Sequence, residues 1–347
     1  MASLPTKAEV FEKITTDFSK RHQLCINQWK IGEEEIKDLD TSEYKSTINQ
    51  TKCRLRKERL MKMENVRLKH YVPFLFLLCL ARICTNIVTA EQYTHQIPSA
   101  KKHFVLVHGA GHGAWCWYKL ATLLNSTGHN VTTLDLAASG INPIQVQHIH
   151  SFSDYVKPLI KFLGSLPPKE RVILVGHSMG GAVISIAMER FPEKIAAAVY
   201  ATALMPGPAL SYLSIFEKLS ELTDTQYRYD RGANNPPTSL LFGPKQLSLN
   251  LYQLSPPEDL TLALSLVRFS PLFTEEIKLT EEKYGLVPRV FIVCDQDHSI
   301  KEDLQMWMIR KNPPNEVKVI NGSDHMVMFS RPLELFSNLL KVAEKYS

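Results

Sequence analysis

The stretch RVILVGHSMGGAVISIAMERF occupies residues 171–191. Its opening run, Val172-Ile173-Leu174-Val175, is apolar throughout, as strands buried on both faces of a parallel sheet are. Its closing part, from Gly181 to Arg190, has the composition of a helix and stops before Pro192. Between them, Gly176-His177-Ser178-Met179-Gly180 sets a serine on a sharp strand-to-helix turn. Glycine permits the unusual backbone angles and close backbone approach that such a turn demands. This is the G-x-S-x-G nucleophile elbow in its required strand–turn–helix context. A plain glycine-rich turn would account for the glycines but not for the elements around them. The expectation is therefore that Ser178 is a nucleophile, and that the chain supplies a base, an acid and an oxyanion hole.

Outward from this stretch, residues 101–347 alternate strand and helix signals. Strands are expected at residues 104–107, 131–136, 172–175, 197–201, 290–294 and 317–320. Helices are expected at 115–125, 152–163, 182–190 and 333–345. Such alternation implies a mostly parallel α/β sheet flanked by helices. Residues 207–285 break the pattern: they carry Pro and Gly punctuation, mainly helical runs and no convincing strand. The expectation there is a helical cap insertion lying over the strand ends, where α/β proteins bind ligands. No internal repeat is evident.

The 347 residues are 44% hydrophobic and 22% charged, an ordinary globular composition. The net charge of +5 lies mostly at the start. Residues 1–70 hold 15 basic and 11 acidic side chains, leaving the remainder almost neutral, which argues against nucleic acid as a partner. The six cysteines contain no C-x-x-C pair, so neither a zinc ribbon nor a redox motif is indicated. Cys116 and Cys294 read as small apolar core residues. Residues 1–62 read as a charged, poorly ordered extension. Residues 63–90 read as a secretory signal if Met63 is the working start, and otherwise as a short membrane anchor or a buried hydrophobic patch. Location is thus cytoplasmic or secretory according to the start. The catalytic body is expected over 91–347.

A serine at its free pKa is a weak nucleophile and needs an adjacent base. Chain order in this kind of fold runs serine, acid, histidine. His325, in the segment VKVINGSDHMVMF after the last strand, has the position of the base. The acid should follow the preceding strand, which runs into Asp295-Gln296-Asp297-His298. Spacing alone leaves Asp295 and Asp297 as alternatives, the loser being expected to cap backbone amides. Asp324, next to His325, should point elsewhere. The oxyanion hole needs two backbone N–H groups. Met179 follows the nucleophile, and Ala110 lies in the small-residue turn LVHGAGHGAW after the first strand. His108, His112 and His177 lack the carboxylate–histidine spacing of a metal site, so no metal and no cofactor is expected. His148 and His150 should face solvent.

The blocks KHFVLVHGAGHGAWCWYKL, LDLAASGINP, VILVGHSMGG, SLLFGPK, YQLSPPEDL, LVRFSPLF, IVCDQDHSI and GSDHMVMF resemble those of a known family. It is the plant α/β-hydrolase methylesterases, with the salicylate-binding esterases, polyneuridine aldehyde esterase and the related hydroxynitrile lyases. The resemblance spans residues 101–346. It implies the α/β-hydrolase fold and a triad of Ser178, Asp297 and His325, with Ala110 and Met179 as oxyanion donors. It further implies an acyl pocket lined by Leu204, Leu240, Phe242 and Leu272, and a small-molecule methyl ester as substrate. Methyl salicylate, jasmonate and indole-acetate are the hormone esters it suggests; a homodimer is left open. The segment between Phe216 and Gln226 is shorter than is usual in the family and lacks its tryptophan. Hydroxynitrile lyases usually carry threonine and lysine where this chain has Gly109 and Met326, so esterase is favoured over lyase. A non-catalytic acid-binding protein is the other alternative.

Overall fold

A computed structural model describes residues 101–346. The extension at 1–62 and the apolar segment at 63–90 lie outside the described residues.

In chain order the strands are β1 (His103–Val107), β2 (Asn130–Leu134), β3 (Val172–Ser178) and β4 (Ile195–Ala203), then β5 (Gln226–Arg228), β6 (Ser239–Leu241) and β7 (Ser270–Pro271), and last β8 (Arg289–Cys294) and β9 (Glu316–Ile320). Six of them form one sheet in the order β2-β1-β3-β4-β8-β9, with every neighbouring pair parallel. All nine residues of β4, and the first six of β3, are buried. Their unbroken apolar runs are the signature of strands covered on both faces.

The helices are α1 (Tyr118–Ser126), α2 (Phe152–Ser165), α3 (Gly180–Arg190), α4 (Tyr212–Phe216), α5 (Pro244–Gln246), α6 (Pro257–Leu266), α7 (Glu302–Lys311), α8 (Val327–Ser330) and α9 (Pro332–Lys345). Leu120 and Leu124 of α1 pack with Leu335, Leu339 and Val342 of α9 on one sheet face. Tyr155 and Leu159 of α2, Val183 and Ala187 of α3, and Met308 of α7 cover the other. The expected strands and helices all occur. β2 ends two residues early because Asp135 turns out of the sheet to accept the amides of Ala114 (2.6 Å) and Ile141 (3.0 Å).

Two expectations are corrected. Residues 207–285 are not strand-free, since β5, β6 and β7 form a small antiparallel sheet. These strands are two or three residues long, β5 is exposed along its length and β7 contains Pro271. No period-2 pattern can develop over so few residues. α7 was also absent from the expected helices; its buried residues are Leu304, Gln305, Met308 and Ile309, a short stripe that includes a polar side chain.

The order β2-β1-β3 means that the chain leaves β1 for one edge and returns to pair on its other side. Such a reversal opens a crevice at the carboxyl ends of the two central strands. The loop after β1 and the turn after β3 meet there.

Candidate active site

Ser178 ends β3 with φ of +54°, in the left-handed region that non-glycine residues rarely occupy. Its neighbour Met179 is the first residue of the helical turn that becomes α3. The elbow needs Gly176 for close approach, because a Cβ there would lie 2.6 Å from the Gly180 carbonyl oxygen. The Leu204 N–H donates to the Ser178 carbonyl at 2.9 Å, fixing the turn to the end of β4.

The loops after β8 and β9 are laced together. Gly322 N–H donates to Asp295 Oδ1 at 2.6 Å and Gln296 N–H to the Ser323 carbonyl at 3.1 Å. Asp295 thus caps the Gly322 amide. Asp297 instead lies against the histidine, its Oδ2 2.7 Å from His325 Nδ1, with side chains only 0% and 2% exposed. The amides of Ser299 (2.7 Å) and Ile300 (2.9 Å) donate to Asp297 Oδ1, and the Thr202 hydroxyl donates to Oδ2. Asp324 points the other way, accepting from Leu254 N (2.9 Å), Ser255 Oγ (2.8 Å) and Met326 N (3.0 Å). Burial raises its pKa, against the pull of those donors.

Three buried histidines shape the crevice. His108 Nδ1–H donates to the Gly109 carbonyl at 2.8 Å, and its Nε2 accepts the Leu136 N–H at 3.1 Å. His112 donates from Nδ1 to the Ala110 carbonyl at 2.8 Å and accepts the Tyr252 hydroxyl at 2.7 Å. His177 donates from Nε2 to the carbonyl of His325 at 2.7 Å, and the two rings lie 4.6 Å apart. Burial lowers all three pKa values, His112 to about 4 and His177 well below its usual range. A ring nitrogen that donates beside one that accepts requires the neutral imidazole. Among the described residues no cluster of three or more His, Cys, Asp or Glu could hold a metal ion. His148 and His150 are exposed, and Cys116 and Cys294 are buried thiols.

Ser178, Ala110 and Met179 open onto one cavity of about 230 Å³. Leu204, Leu240, Phe242 and Leu272, the four pocket residues implied by resemblance, all line it. So do Phe216, Leu219, Leu222, Tyr227 and Ile300, which the sequence did not single out. Their signal was weak: Leu219 and Leu222 lie in the irregular chain between α4 and β5, and the others at element ends or in loops and short strands, where no period marks a buried face.

Residues 104–339 match the α/β hydrolase family. Methyl jasmonate esterase 1 of Vitis vinifera is 55% identical over 257 residues, 71% of this chain and 98% of that protein. Salicylic acid-binding protein 2 of Nicotiana tabacum is 46% identical over 256 residues, again 71% and 98% of the two chains. The chain belongs to the plant methylesterase family of α/β-hydrolases. Solved structures agree with this membership. Polyneuridine aldehyde esterase aligns with a TM-score of 0.67 at 42% identity, covering 70% of this methylesterase-family chain and 99% of the other. Tomato methylketone synthase I, complexed with 2-tridecanone, gives 0.68 at 50% identity, covering 72% and 100%. As a family member, the protein is a carboxylic ester hydrolase.

Proposed function

We propose that the protein is a serine methylesterase in which Ser178, His325 and Asp297 act as nucleophile, base and orienting acid. The observation that carries this reading is the buried Asp297–His325 pair, held 2.7 Å apart, together with a serine on a strained elbow. Ser178 Oγ attacks the ester carbonyl while His325 Nε2 takes its proton. Asp297 holds the Nδ1–H tautomer and stabilises the imidazolium. Methanol leaves with the proton from His325, and water activated by the same nitrogen releases the acid.

The developing oxyanion needs donors fixed before the reaction begins. Met179 N–H lies at the start of α3, where amides lack intrahelical partners. The Gly109 carbonyl is tied down by His108 Nδ1–H, and a trans peptide turns the following N–H, that of Ala110, to the opposite side. The second carbonyl of this loop, that of Ala110, is held by His112. Neutral His108 and His112 thus set the loop without bringing net charge to the site.

The pocket favours a small, largely aliphatic acid. Its volume falls below the roughly 300–1,000 Å³ of sites for drug-sized ligands. Leu204, Leu219, Leu222, Leu240 and Leu272 outnumber the aromatic side chains on its walls. Among hormone methyl esters, this points to methyl jasmonate ahead of methyl salicylate and methyl indole-acetate. Turnover of the three by the purified protein tests the reading. The expected ranking puts methyl jasmonate first by kcat/KM, and failure to release methanol from any methyl ester would overturn the proposal.

A further inference from the structure

The pairing of β4 with β3 slips at one point. His177 faces Ala201 and Ser178 faces Ala203, so Thr202 is the extra residue of a bulge. Bulges bend a strand and re-aim the side chain they carry. Thr202 also has φ of +40°, where a β-branched residue is a genuine outlier. Such strain persists only where the surroundings over-determine it, and it gathers at functional sites. If the turn alone mattered, Gly, Asn or Asp would adopt it at lower cost. If volume alone mattered, valine would fill it. Threonine adds a hydroxyl.

That hydroxyl is wholly buried and donates to Asp297 Oδ2, the oxygen that faces His325 Nδ1. The other oxygen, Oδ1, accepts the amides of Ser299 and Ile300. A donor on a carboxylate draws charge density from it. An Asp297 that shares Oδ2 with Thr202 therefore stabilises an imidazolium less than one whose Oδ2 faces His325 alone.

Resting on the proposed triad, we propose that Thr202 is a positioning residue: its strained bulge holds a second donor on Oδ2 and so sets the basicity of His325. With the hydroxyl in place, Asp297 holds a proton on His325 less strongly than a carboxylate whose Oδ2 had no other donor. The other titratable groups around the pair are His177 on β3, His108 and His112 on the loop after β1, Cys294 at the end of β8, and Asp295 and Asp324. Burial keeps the three imidazoles neutral near and somewhat below neutrality and the Cys294 thiol protonated. Asp295 and Asp324 are each engaged by backbone amides, so none of these replaces the hydroxyl.

The test is the pH profile of kcat/KM for p-nitrophenyl acetate, measured on the full chain and on Thr202→Val, Thr202→Ala and Thr202→Ser. Below its pKa His325 is protonated and cannot act as base, so the acid limb reports it. Without the hydroxyl that limb should move to higher pH by on the order of 0.5–1 unit in both Val and Ala variants. Serine should restore the wild-type limb. Should the valine variant fail to fold, alanine, which carries no branch at the strained position, gives the same readout. Limbs that superimpose on wild type for Val or Ala, or a serine variant that shifts as far as they do, would overturn the proposal. Ser178→Ala run alongside separates the two ideas: turnover there sinks the triad, whereas an inert Ser178→Ala with unmoved Thr202 limbs sinks only the role of Thr202.

Discussion

Asp297 Oδ2 and His325 Nδ1 meet at 2.7 Å in a place that water does not reach, whereas Asp295, two residues earlier, spends its carboxylate on the Gly322 amide. The two aspartates should therefore fail differently. Asp297→Asn removes the acceptor that selects the histidine tautomer and should lower kcat by about 10⁴. Asp295→Asn should leave kcat within a few fold and cost about 1 kcal/mol of stability. Steady-state kinetics with urea unfolding of both variants checks this, and the opposite ranking would move the acid to Asp295.

Ser178→Ala should lower ester turnover by roughly 10⁶, the loss expected when the nucleophile of a serine triad is removed. The rest of the cavity wall is untouched by that change. Binding of the product acid, followed by calorimetry, should survive nearly intact. Retained turnover would exclude a serine mechanism.

The buried histidines make stability depend on pH. His112 is lowered from 6.5 to about 4 by burial, and burial also holds His177 well below its usual range. Below pH 6.5 the unfolded chain binds protons that the folded chain refuses, so stability is full above that value and drains away down to about pH 4. For His112 alone this amounts to about 3 kcal/mol. Urea midpoints should fall between pH 7 and pH 4.5, and His112→Gln should flatten the slope. An unchanged slope would mean that His112 is protonated in the folded protein.

At position 109 a side chain would crowd the elbow. A Cβ there would lie 2.8 Å from Ser178 Cβ and 3.1 Å from His177 Nδ1. Gly109→Ala should cut kcat by about 10² through displacement of the nucleophile. Wild-type activity in that variant would show that the loop has room to yield.

Esterase and hydroxynitrile lyase differ at the residue after the base. Met326 is wholly buried and uncharged, so it offers nothing to stabilise departing cyanide in a dry pocket. Cyanide release from mandelonitrile should be negligible beside methyl-ester hydrolysis. Release matching the best ester would reverse that ranking.

The sheet was legible because buried parallel strands leave unbroken apolar runs, as in residues 172–175 and 195–201. Ser178 and His325 were proposed from the sequence because they follow strands, Ser178 at the end of β3 and His325 on the loop after β9. Spacing could not separate Asp295 from Asp297, since an irregular loop has no period; resemblance named Asp297, and the Ser299 and Ile300 amides are what hold it. Thr202 left no trace in the sequence. It sits inside an apolar run, and neither the sign of a φ angle nor a bulge is written in hydrophobicity.

β4 and β8 are next to each other in the sheet, although residues 204–288 separate them in the chain. Because the two strands are parallel, the insertion leaves the carboxyl end of β4 and crosses back to enter β8 at its amino end, a crossover connection between adjacent strands. Closing so long an excursion costs little more than closing a short one, since each doubling of length adds only about 0.6 kcal/mol. The segment is one continuous insert between two strands of the main sheet. It supplies Leu219, Leu222, Tyr227, Leu240, Phe242 and Leu272 to the pocket, while Ser178, Asp297 and His325 all lie outside it. A relative's segment grafted between these two strands should thus change which acid is accepted without touching Ser178, Asp297 or His325.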